Sequence, residues 1–548
     1  MDAISNIEIQ NLQGRFVHAW NQRNFLECAA LFAKNANARF QAPDDGILLT
    51  SQEAIRNGLA EAAQRMGVPF LMSHTPAIRQ DAPDRARASW YLSTVQFTDD
   101  GCVQGSARLD ADLIRVQQEW RYLDVQLYYM MTLEPETGRG MTYDSTFSER
   151  IAFPDAPRGK TSAVDYLTLR NMLGRWCHNR REGAEDWFAG EGEPRLEYPP
   201  FLSKPLVGRE AILRGLRELR KQETAVAPIP LTIPMLTTPC IETWEDSAWG
   251  SWFVISHDYL LDGDGAGWIA HRVGQLLVTW VRERGEWKIR ELRLCPLFSL
   301  PSDTLLLEDS GDTILNMEGG WLNAPAPSGR TDPEAAEEAL TLEEYIAFWV
   351  SGLRYRSEAP FYYSRLDIDN PEELTYRLGR RPAKRGLGEV TEEIFAMTSK
   401  FSTLQPKSPG NHTGTTPVIE ISPDGTHAVA VWLDYGWTTQ AEVFGITKPP
   451  YFANPAIGRY EHHYKKRSDG WKLYSFHWAP YYRTGKWRFD YATTKGWCGT
   501  TSSKRFPLPL DTYTYEDDEA KRGQPVVLDP PMIDCPYERP WTGETDRL

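Results

Sequence analysis

Hydrophobic and polar positions along the chain first follow a helical spacing and then change to the alternation typical of strands. Residues 6–20 carry apolar side chains near helical spacing, 25–32 form a second apolar cluster, and 52–66 make a third helical stretch. From Ile78 onward, β-branched and aromatic residues alternate with polar ones between short turns. Helices followed by antiparallel strands predict an α+β unit.

The same order of motifs recurs along the chain. The motif N-x-x-G-R-aromatic-x-H occurs at 11–18 and again at 171–178. Three segments begin with T-P-x-I, at Thr75, Thr238 and Thr416, and each continues to A-x-x-x-W and then to a W-[RK] strand 44 to 54 residues after its proline. This repetition predicts three copies of one supersecondary unit. The opening helix of the third copy lacks the N-x-x-G-R-x-x-H residues.

Linkers rich in Gly, Pro and Ala separate the copies and set the predicted domain limits. The three units are predicted at 1–135, 160–300 and 335–495, and a Pro-rich extended arm at 496–548. Arms of this kind often wrap a neighbouring unit or subunit, so the C-terminal arm offers a route to a homo-oligomer.

The composition argues against several classes of function. Of the 548 residues, 41% are hydrophobic and 25% are charged, as in ordinary globular proteins. The net charge is −15 without a long basic run, which argues against nucleic acid as a partner. The sequence shows no secretory signal and no apolar run of about 18 residues, so no membrane association is predicted. Seven scattered cysteines without a C-x-x-C pair predict reduced thiols in the cytoplasm and no structural zinc.

Several short motifs resemble those of one superfamily. Unit one contains F-A-x-N-A-x-x-x-F at 32–40 and S-H-x-P-x-I at 73–78, and unit two contains G-x-E-A-I at 208–212 and G-x-W-K at 285–288. Together with an R-[FW]-x-x-x-x-[ND] opening helix, they resemble the SnoaL-like branch of the nuclear-transport-factor-two-like superfamily. Unit one, over roughly residues 5–135, is most similar to scytalone dehydratase-like and polyketide cyclase-like members.

The resemblance implies three tandem cone-shaped α+β barrels, each a curved antiparallel sheet with three helices. Several members of the superfamily are homotrimers, so the three units are expected to form a pseudo-trimer within one chain. The interior of such a cone holds a small hydrophobic molecule, and the 20 Trp and 24 Tyr also favour a flat organic ligand. The chain shows no P-loop, dinucleotide-binding or G-x-S-x-G motif, so no cofactor is predicted.

Two functions therefore stay open. The first is a cofactor-independent lyase or isomerase that takes a proton from a small hydrophobic, aromatic or polycyclic molecule. The second is a non-catalytic ligand-binding or assembly protein, since the superfamily also contains copies without chemistry.

A residue that only one copy holds is the best candidate for specialised chemistry. His74 precedes T-P-x-I in unit one, where the other copies have Thr237 and Thr415. In the resembling lyases this position often carries the histidine base, and a pKa of about 6.5 suits proton abstraction. The alternative is a histidine that caps a strand. The lyases' partner Asp aligns with Asn21 here and with Arg181 in unit two, and Asn21 can orient an imidazole but cannot stabilise its charged form as a carboxylate does.

Carboxylates on a later strand are candidates to replace the missing Asp. Asp110 and Asp112 share one strand face, opposite Leu109, Ala111 and Leu113. Facing into the cone they would form an acid–base pair of raised pKa, whereas facing water they are surface charges. The residues expected to line the substrate pocket are His18, Trp20, Trp90 and Tyr122. For His18, packing of the opening helix is the alternative.

Histidines in the other units suggest weaker candidates. His257 and His271 of unit two are expected to lie across a hairpin, whereas His257 and Asp258 face opposite ways on one strand. In unit three, residues 460–463 read Y-E-H-H, with His462 sharing a face with the tyrosine. No suitably spaced further ligand accompanies them, so no metal site is predicted.

Overall fold

Three copies of one six-stranded sheet, each accompanied by helices, make up the protein. The computed structural model describes residues 2–40, 47–65, 70–98, 101–135, 145–152, 159, 161–179, 183–199, 201–225, 232–261, 267–300, 303–304, 324–355, 366–378, 382–390, 392–393, 411–439, 451–483 and 487–491. The predicted arm at 496–548 lies outside these residues, and the predicted domain limits stay predictions.

Unit one has the strand order β2-β1-β6-β5-β4-β3, in which β1 runs parallel to β6 and all other pairs are antiparallel. Its elements are α1 (Ala3–Asn21), α2 (Phe25–Ala30), β1 (Phe32–Phe40), β2 (Ile47–Thr50), α3 (Gln52–Arg65), β3 (Phe70–Ala82), β4 (Arg85–Thr98), β5 (Gly101–Val116) and β6 (Glu119–Pro135).

Unit two repeats this order as β8-β7-β12-β11-β10-β9, with β7 parallel to β12 and a short β13 beside β11. A 3-10 turn (Ser145–Arg150) precedes it. Its elements are α4 (Ala163–His178), a second 3-10 turn (Ala184–Asp186), β7 (Arg195–Glu197), β8 (Leu206–Val207), α5 (Arg209–Ala225), β9 (Thr232–Thr243), β10 (Ser247–Leu261), β11 (Gly267–Glu283), β12 (Glu286–Ser299) and β13 (Asp303–Thr304).

Unit three repeats it again as β15-β14-β19-β18-β17-β16, with β14 parallel to β19. Its elements are α6 (Pro333–Tyr355), a 3-10 turn (Pro371–Glu373), β14 (Thr375–Leu378), β15 (Lys384–Arg385), β16 (Asn411–Ile421), β17 (His427–Thr439), β18 (Tyr451–Arg467), β19 (Gly470–Arg483) and β20 (Trp487–Tyr491). The last strand, β20, pairs with both β18 and β6, so it joins the sheets of units three and one.

Each sheet is open and curved rather than closed into a barrel, because its two outermost strands do not pair with each other. The expected α+β class is therefore confirmed, with open cones in place of barrels. Among the residues that the structure describes, no helix is both long and apolar enough to cross a membrane.

The three units form a closed ring with approximate threefold symmetry. Each opening helix packs on the edge strand of its own sheet and on that of the next unit: α1 on β3 and β9, α4 on β9 and β16, and α6 on β16 and β3. Each opening helix thereby covers the edge strand of the next unit, so that this edge cannot pair with another chain. This is the pseudo-trimer expected from the sequence.

Candidate functional site

The repeated motif N-x-x-G-R-aromatic-x-H lies at the joint between units one and two. On α1, Asn11 donates through Nδ2 to the carbonyl oxygen of Ile241 (2.7 Å) and accepts from the Ile241 N–H through Oδ1 (3.0 Å). One turn later Arg15 pairs with Glu242 at 2.5 Å, and both side chains are largely buried. The carboxamide thus satisfies backbone groups of the edge strand β9 that no neighbouring strand covers.

Gly14 and His18 complete this joint. A Cβ on Gly14 would lie 2.6 Å from the carbonyl oxygen of Pro239, so glycine is what allows α1 to approach β9 this closely. His18 Nδ1 is 2.8 Å from the Gly14 carbonyl oxygen, and its Nε2 is 2.7 Å from Ser251 Oγ. Since a carbonyl only accepts, Nδ1 carries the proton and Nε2 accepts from the serine. Burial lowers the pKa of His18 to about 4, so the ring is neutral near pH 7.

The second joint repeats the Asn, Arg and Gly contacts between α4 and β16. Asn171 exchanges hydrogen bonds of 2.8 and 3.3 Å with the backbone of Ile419, and Arg175 pairs with Glu420. Gly174 lies against the carbonyl oxygen of Pro417, and His178 Nε2 contacts the carbonyl oxygen of Thr416. The motif therefore specifies how the helix of one unit docks on the edge strand of the next, and this placement puts His18 in a joint rather than in a cone.

The three opening helices meet at the centre of the ring, which gives the register of the third helix. Gln10 Nε2 donates to Glu343 Oε2 at 3.2 Å, and Arg170 Nη1 donates to the same oxygen at 2.6 Å. One position is therefore Gln, Arg and Glu in the three units. In the sequence, the same register aligns the aromatic residues Phe16, Trp176 and Trp349, and the small residues Gly14, Gly174 and Ala347. In the sequence of α6, the Asn, Arg and His positions of the motif hold Glu344, Phe348 and Ser351.

The threonines of T-P-x-I form a ring of contacts between the units. Thr75, Thr238 and Thr416 have φ values of 53°, 54° and 55°, a left-handed conformation that is strained for a β-branched residue. Each hydroxyl bonds to the backbone of another unit's edge strand: Thr238 accepts from Ser73 N (2.8 Å), Thr416 accepts from Leu236 N (2.8 Å), and Thr75 donates to Gly414 O (3.1 Å). The shared T-P-x-I sequence thus holds the ring together.

His74 lies beside this threonine ring, at a cavity of about 40 Å³ on the ring axis. Its side chain is buried, and its Nε2 is 3.0 Å from Ser93 Oγ. Burial lowers the pKa of His74 to about 3. In the register of the sheet, His74 faces the same way as Tyr91 and Arg108, which is opposite to the face that packs on α1. A cavity of this size has room for a few water molecules only.

The other three predicted catalytic residues are not gathered around His74. Asn21 donates to the Leu71 carbonyl oxygen (2.8 Å) and accepts from the Leu71 N–H (2.9 Å), so its carboxamide ties the end of α1 to β3. Asp110 pairs with Arg108 at 2.7 Å, and Asp112 is exposed. Both carboxylates point away from the helix-packed interior of unit one. The catalytic role predicted for this group stays a prediction.

The aromatic residues predicted to bind substrate fill the interior of unit one or lie on the ring axis. Trp20 is fully buried and contacts the rings of Phe16, Phe25 and Phe40. Tyr122 is also buried, and its hydroxyl donates to Gln13 Oε1 at 2.7 Å. Trp90 lines the axial cavity. Packed rings occupy the space between α1 and the sheet around Trp20 and Tyr122.

The predicted histidine pair of unit two is present and lies where the sheets of all three units approach. His257 and His271 are buried, with 2.8 Å between their Nδ1 atoms. The ring of His257 packs on Tyr435 of unit three, whose hydroxyl donates to Gln104 of unit one at 2.9 Å. Each element of this contact comes from a different unit, which is typical of a structural role.

Unit three carries its own histidines, and two of them lie apart. His462 is buried with its Nδ1 2.7 Å from the Tyr464 hydroxyl, and burial lowers its pKa to about 3. His463 Nε2 is 2.8 Å from Glu461 Oε1, and both side chains lie on the strand face opposite to that of His462. Within the described ranges, no group of three or more His, Cys, Asp or Glu side chains is placed to hold a metal ion.

A buried His–Asp pair in unit three was not predicted. His412 on β16 places Nδ1 3.0 Å from Asp434 Oδ2 on β17, and Trp478 Nε1 donates to the same oxygen at 2.6 Å. The Asp434 side chain is fully buried, while that of His412 keeps 11% of its surface exposed. Asp434 Oδ1 is buried and has no hydrogen-bond partner in the described part of the chain. This arrangement is a carboxylate that orients an imidazole.

Residues 3–125 match the model of the SnoaL-like domain family. Unit one is a SnoaL-like domain. No curated protein matches the chain.

Single units also align with solved structures. One is a protein of unknown function with a cystatin-like fold from Nostoc punctiforme, at 19% identity over 24% of this chain and 95% of that chain, with a TM-score of 0.20. Another is a candidate scytalone dehydratase from Novosphingobium aromaticivorans, at 14% identity over 24% and 86%, with a TM-score of 0.21. A third, from Catenulispora acidiphila and in complex with S-DNPA, has 24% identity over 23% and 95%, with a TM-score of 0.21.

Neither residue of the His–Asp pair has a counterpart of the same type in the SnoaL-like unit or in unit two. The strand registers place His412 at the position of Leu71 and Pro234, and Asp434 at that of Leu92 and Val254. Leu92 and Val254 are buried apolar residues of the SnoaL-like unit and of unit two. Each residue of the pair is held by one copy alone, and this difference becomes visible in the sequence only when the strands of the three units are aligned residue by residue.

Proposed function

We propose that the protein is a cofactor-independent lyase or isomerase whose general base is His412, oriented by Asp434. The observation that carries this proposal is the 3.0 Å contact between His412 Nδ1 and a fully buried carboxylate, at positions that are apolar in the other two units. A buried carboxylate without a structural need for its charge is costly, so its retention favours a chemical role.

The proposal gives each residue of the pair one role. Asp434 accepts the Nδ1 proton of His412, which leaves Nε2 as the nitrogen that takes a proton from the substrate. The imidazolium formed in that step is stabilised by the adjacent carboxylate, which Trp478 holds in place. The electrons of the broken C–H bond then form a double bond, and either the leaving group departs with its electron pair or the proton returns at another carbon.

Aromatic side chains on the same sheet face favour a hydrophobic substrate. Trp432 and Tyr460 are buried cross-strand neighbours, and Trp478 lies directly opposite Tyr460 on β19. Their side chains share the sheet face of Asp434, since Trp432 precedes it by two residues on β17. A small aromatic or polycyclic molecule with an acidic C–H next to a carbonyl suits such walls.

Exchange of substrate hydrogen for deuterium in D₂O tests the proposal without knowledge of the natural product. The probe is 2-tetralone, a bicyclic aromatic ketone, followed by proton NMR with wild-type protein and with His412→Gln, Asp434→Asn and His74→Gln. The expected result is a loss of protein-catalysed exchange by about 10²-fold or more in H412Q and a smaller loss in D434N, with H74Q at the wild-type rate.

The other outcomes separate the competing assignments. A loss in H74Q with retention in H412Q would return the base to His74, as the sequence predicted. Exchange at the rate of buffer for wild-type protein, on 2-tetralone and on a panel of aryl ketones, would favour the non-catalytic alternative, which is supported by the filled interior around Trp20.

A further inference from the structure

A cavity of about 570 Å³ lies at the joint between units two and three, far larger than the axial cavity. It is a cleft open to solvent, lined by α4, the first turns of α6, the edge strand β16 and the segment 324–332. Leu167, Met172 and Trp187 form one wall, and Ala335, Ala336 and Ala339 face them. This volume is in the range of sites that bind small molecules.

The first and second joints differ at one position that lines the cavity. At the first joint, α4 presents Tyr166 to α1, where the ring is buried and its hydroxyl donates to Gln10 Oε1 at 3.0 Å. The register in which Arg170 and Glu343 are equivalent places Ala339 at the position of Tyr166. An alanine in place of a tyrosine leaves the volume of a phenol ring unfilled.

The charged groups at this cavity are already paired with one another. Arg175 pairs with Glu420 across the joint, and Arg330 makes two contacts with Asp332, at 2.8 and 3.3 Å. These pairs leave no net charge to attract an ionic ligand, and most of the remaining lining is apolar, with Thr168, Asn171, Asn179 and Thr331 as its polar members. We infer that the cavity is a binding site for an uncharged hydrophobic small molecule, separate from the His412 site and independent of the proposed reaction.

The test uses the uncharged fluorophore N-phenyl-1-naphthylamine, titrated into the full chain with fluorescence as the readout. Ala339→Tyr restores the side chain found at the first joint, and Glu337→Tyr places the same residue on the exposed face of the same helix as a control. The expected result is that A339Y loses one binding equivalent per chain, or at least 10-fold in affinity, whereas E337Y binds as the wild type does.

The converse variant keeps the inference testable if A339Y does not fold. Tyr166→Ala opens the equivalent space at the first joint and is expected to gain one binding equivalent. The inference is overturned by a wild-type chain that does not bind the probe, or by unchanged stoichiometry and affinity in A339Y. A Y166A chain that folds without gaining a site would show that the absence of this tyrosine does not create a binding site.

Discussion

At the scale of single residues, Arg170 and Glu343 form a buried ion pair at the point where the three opening helices meet. Their side chains retain 3% and 7% of their surface, and the shared carboxylate also accepts from Gln10. A buried pair contributes little net stability against an apolar replacement, but removal of one partner leaves an uncompensated buried charge. The pair therefore acts mainly on which arrangement of units is allowed.

We expect Glu343→Gln to lower the free energy of unfolding by about 3–5 kcal/mol, because Arg170 would remain buried without its counter-charge. Urea unfolding at pH 7 measures this loss. The matched control is Arg170→Met with Glu343→Leu in one chain, which removes both charges and is expected to recover most of the stability. Equal stability of E343Q and wild type would show that water reaches the pair.

At the scale of elements, the approach of an opening helix to the next edge strand is set by a glycine. In a free helix Gly→Ala stabilises by about 1 kcal/mol, but at Gly14 the new Cβ would meet a backbone carbonyl. A backbone atom cannot rotate out of the way as the end of a side chain can.

We expect Gly14→Ala to destabilise the protein by about 1–3 kcal/mol, since α1 must move away from β9. Gly58→Ala in α3 is the control, because the nearest atoms there belong to the flexible side chain of Leu49, and it should be neutral or slightly stabilising. Thermal unfolding of both variants measures the difference. A stabilised G14A would contradict the close contact with Pro239.

The elements that sequence could predict are those with a local signal. The helical spacing at 6–20 and 52–66 agrees with α1 and α3, and the T-P-x-I segments with β3, β9 and β16. Contacts such as Asn11 with Ile241 join residues 230 positions apart, and no local pattern encodes them. The pair of His412 and Asp434 gives no local signal either, because their identity is informative only against the apolar residues at the same strand positions in the other units.

At the scale of the whole molecule, stability depends on pH through histidines that are buried neutral. Burial lowers the pKa of His18 to about 4, and those of His74, His178 and His462 to about 3. Near pH 7 both folded and unfolded forms leave these rings neutral. As pH falls below about 6.5 the unfolded chain binds protons that the folded chain does not, so stability is lost down to the folded pKa values.

We expect the free energy of unfolding to fall with pH between about 6.5 and 4, each of these histidines contributing up to about 1.4 kcal/mol per pH unit. Urea unfolding at several pH values measures the slope. His74→Gln should reduce the slope by the share of one histidine. A stability that does not change from pH 7 to 5 would show that these rings bind protons as readily in the folded chain as in the unfolded chain.

The three joints of the ring are joined by the chain in different ways. Sequence connects unit one to unit two and unit two to unit three, but units three and one meet without a linker. There β20 pairs with β6 on one side and with β18 on the other, through main-chain hydrogen bonds. The joint that lacks the Asn, Arg and His of the motif is thus bridged by a strand.

Because the three units belong to one chain, the residues that meet on the axis can differ, whereas in a symmetric trimer they are identical. In a trimer of identical subunits, a side chain on the axis meets two copies of itself, so an arginine there would face two arginines and a glutamate two glutamates. One chain with three different units can place Gln10, Arg170 and Glu343 at that single point. A substitution in this chain is also felt once rather than three times, so each joint can change on its own. The cavity beside Ala339 and the His412–Asp434 pair of unit three are differences that a symmetric trimer could acquire only in triplicate.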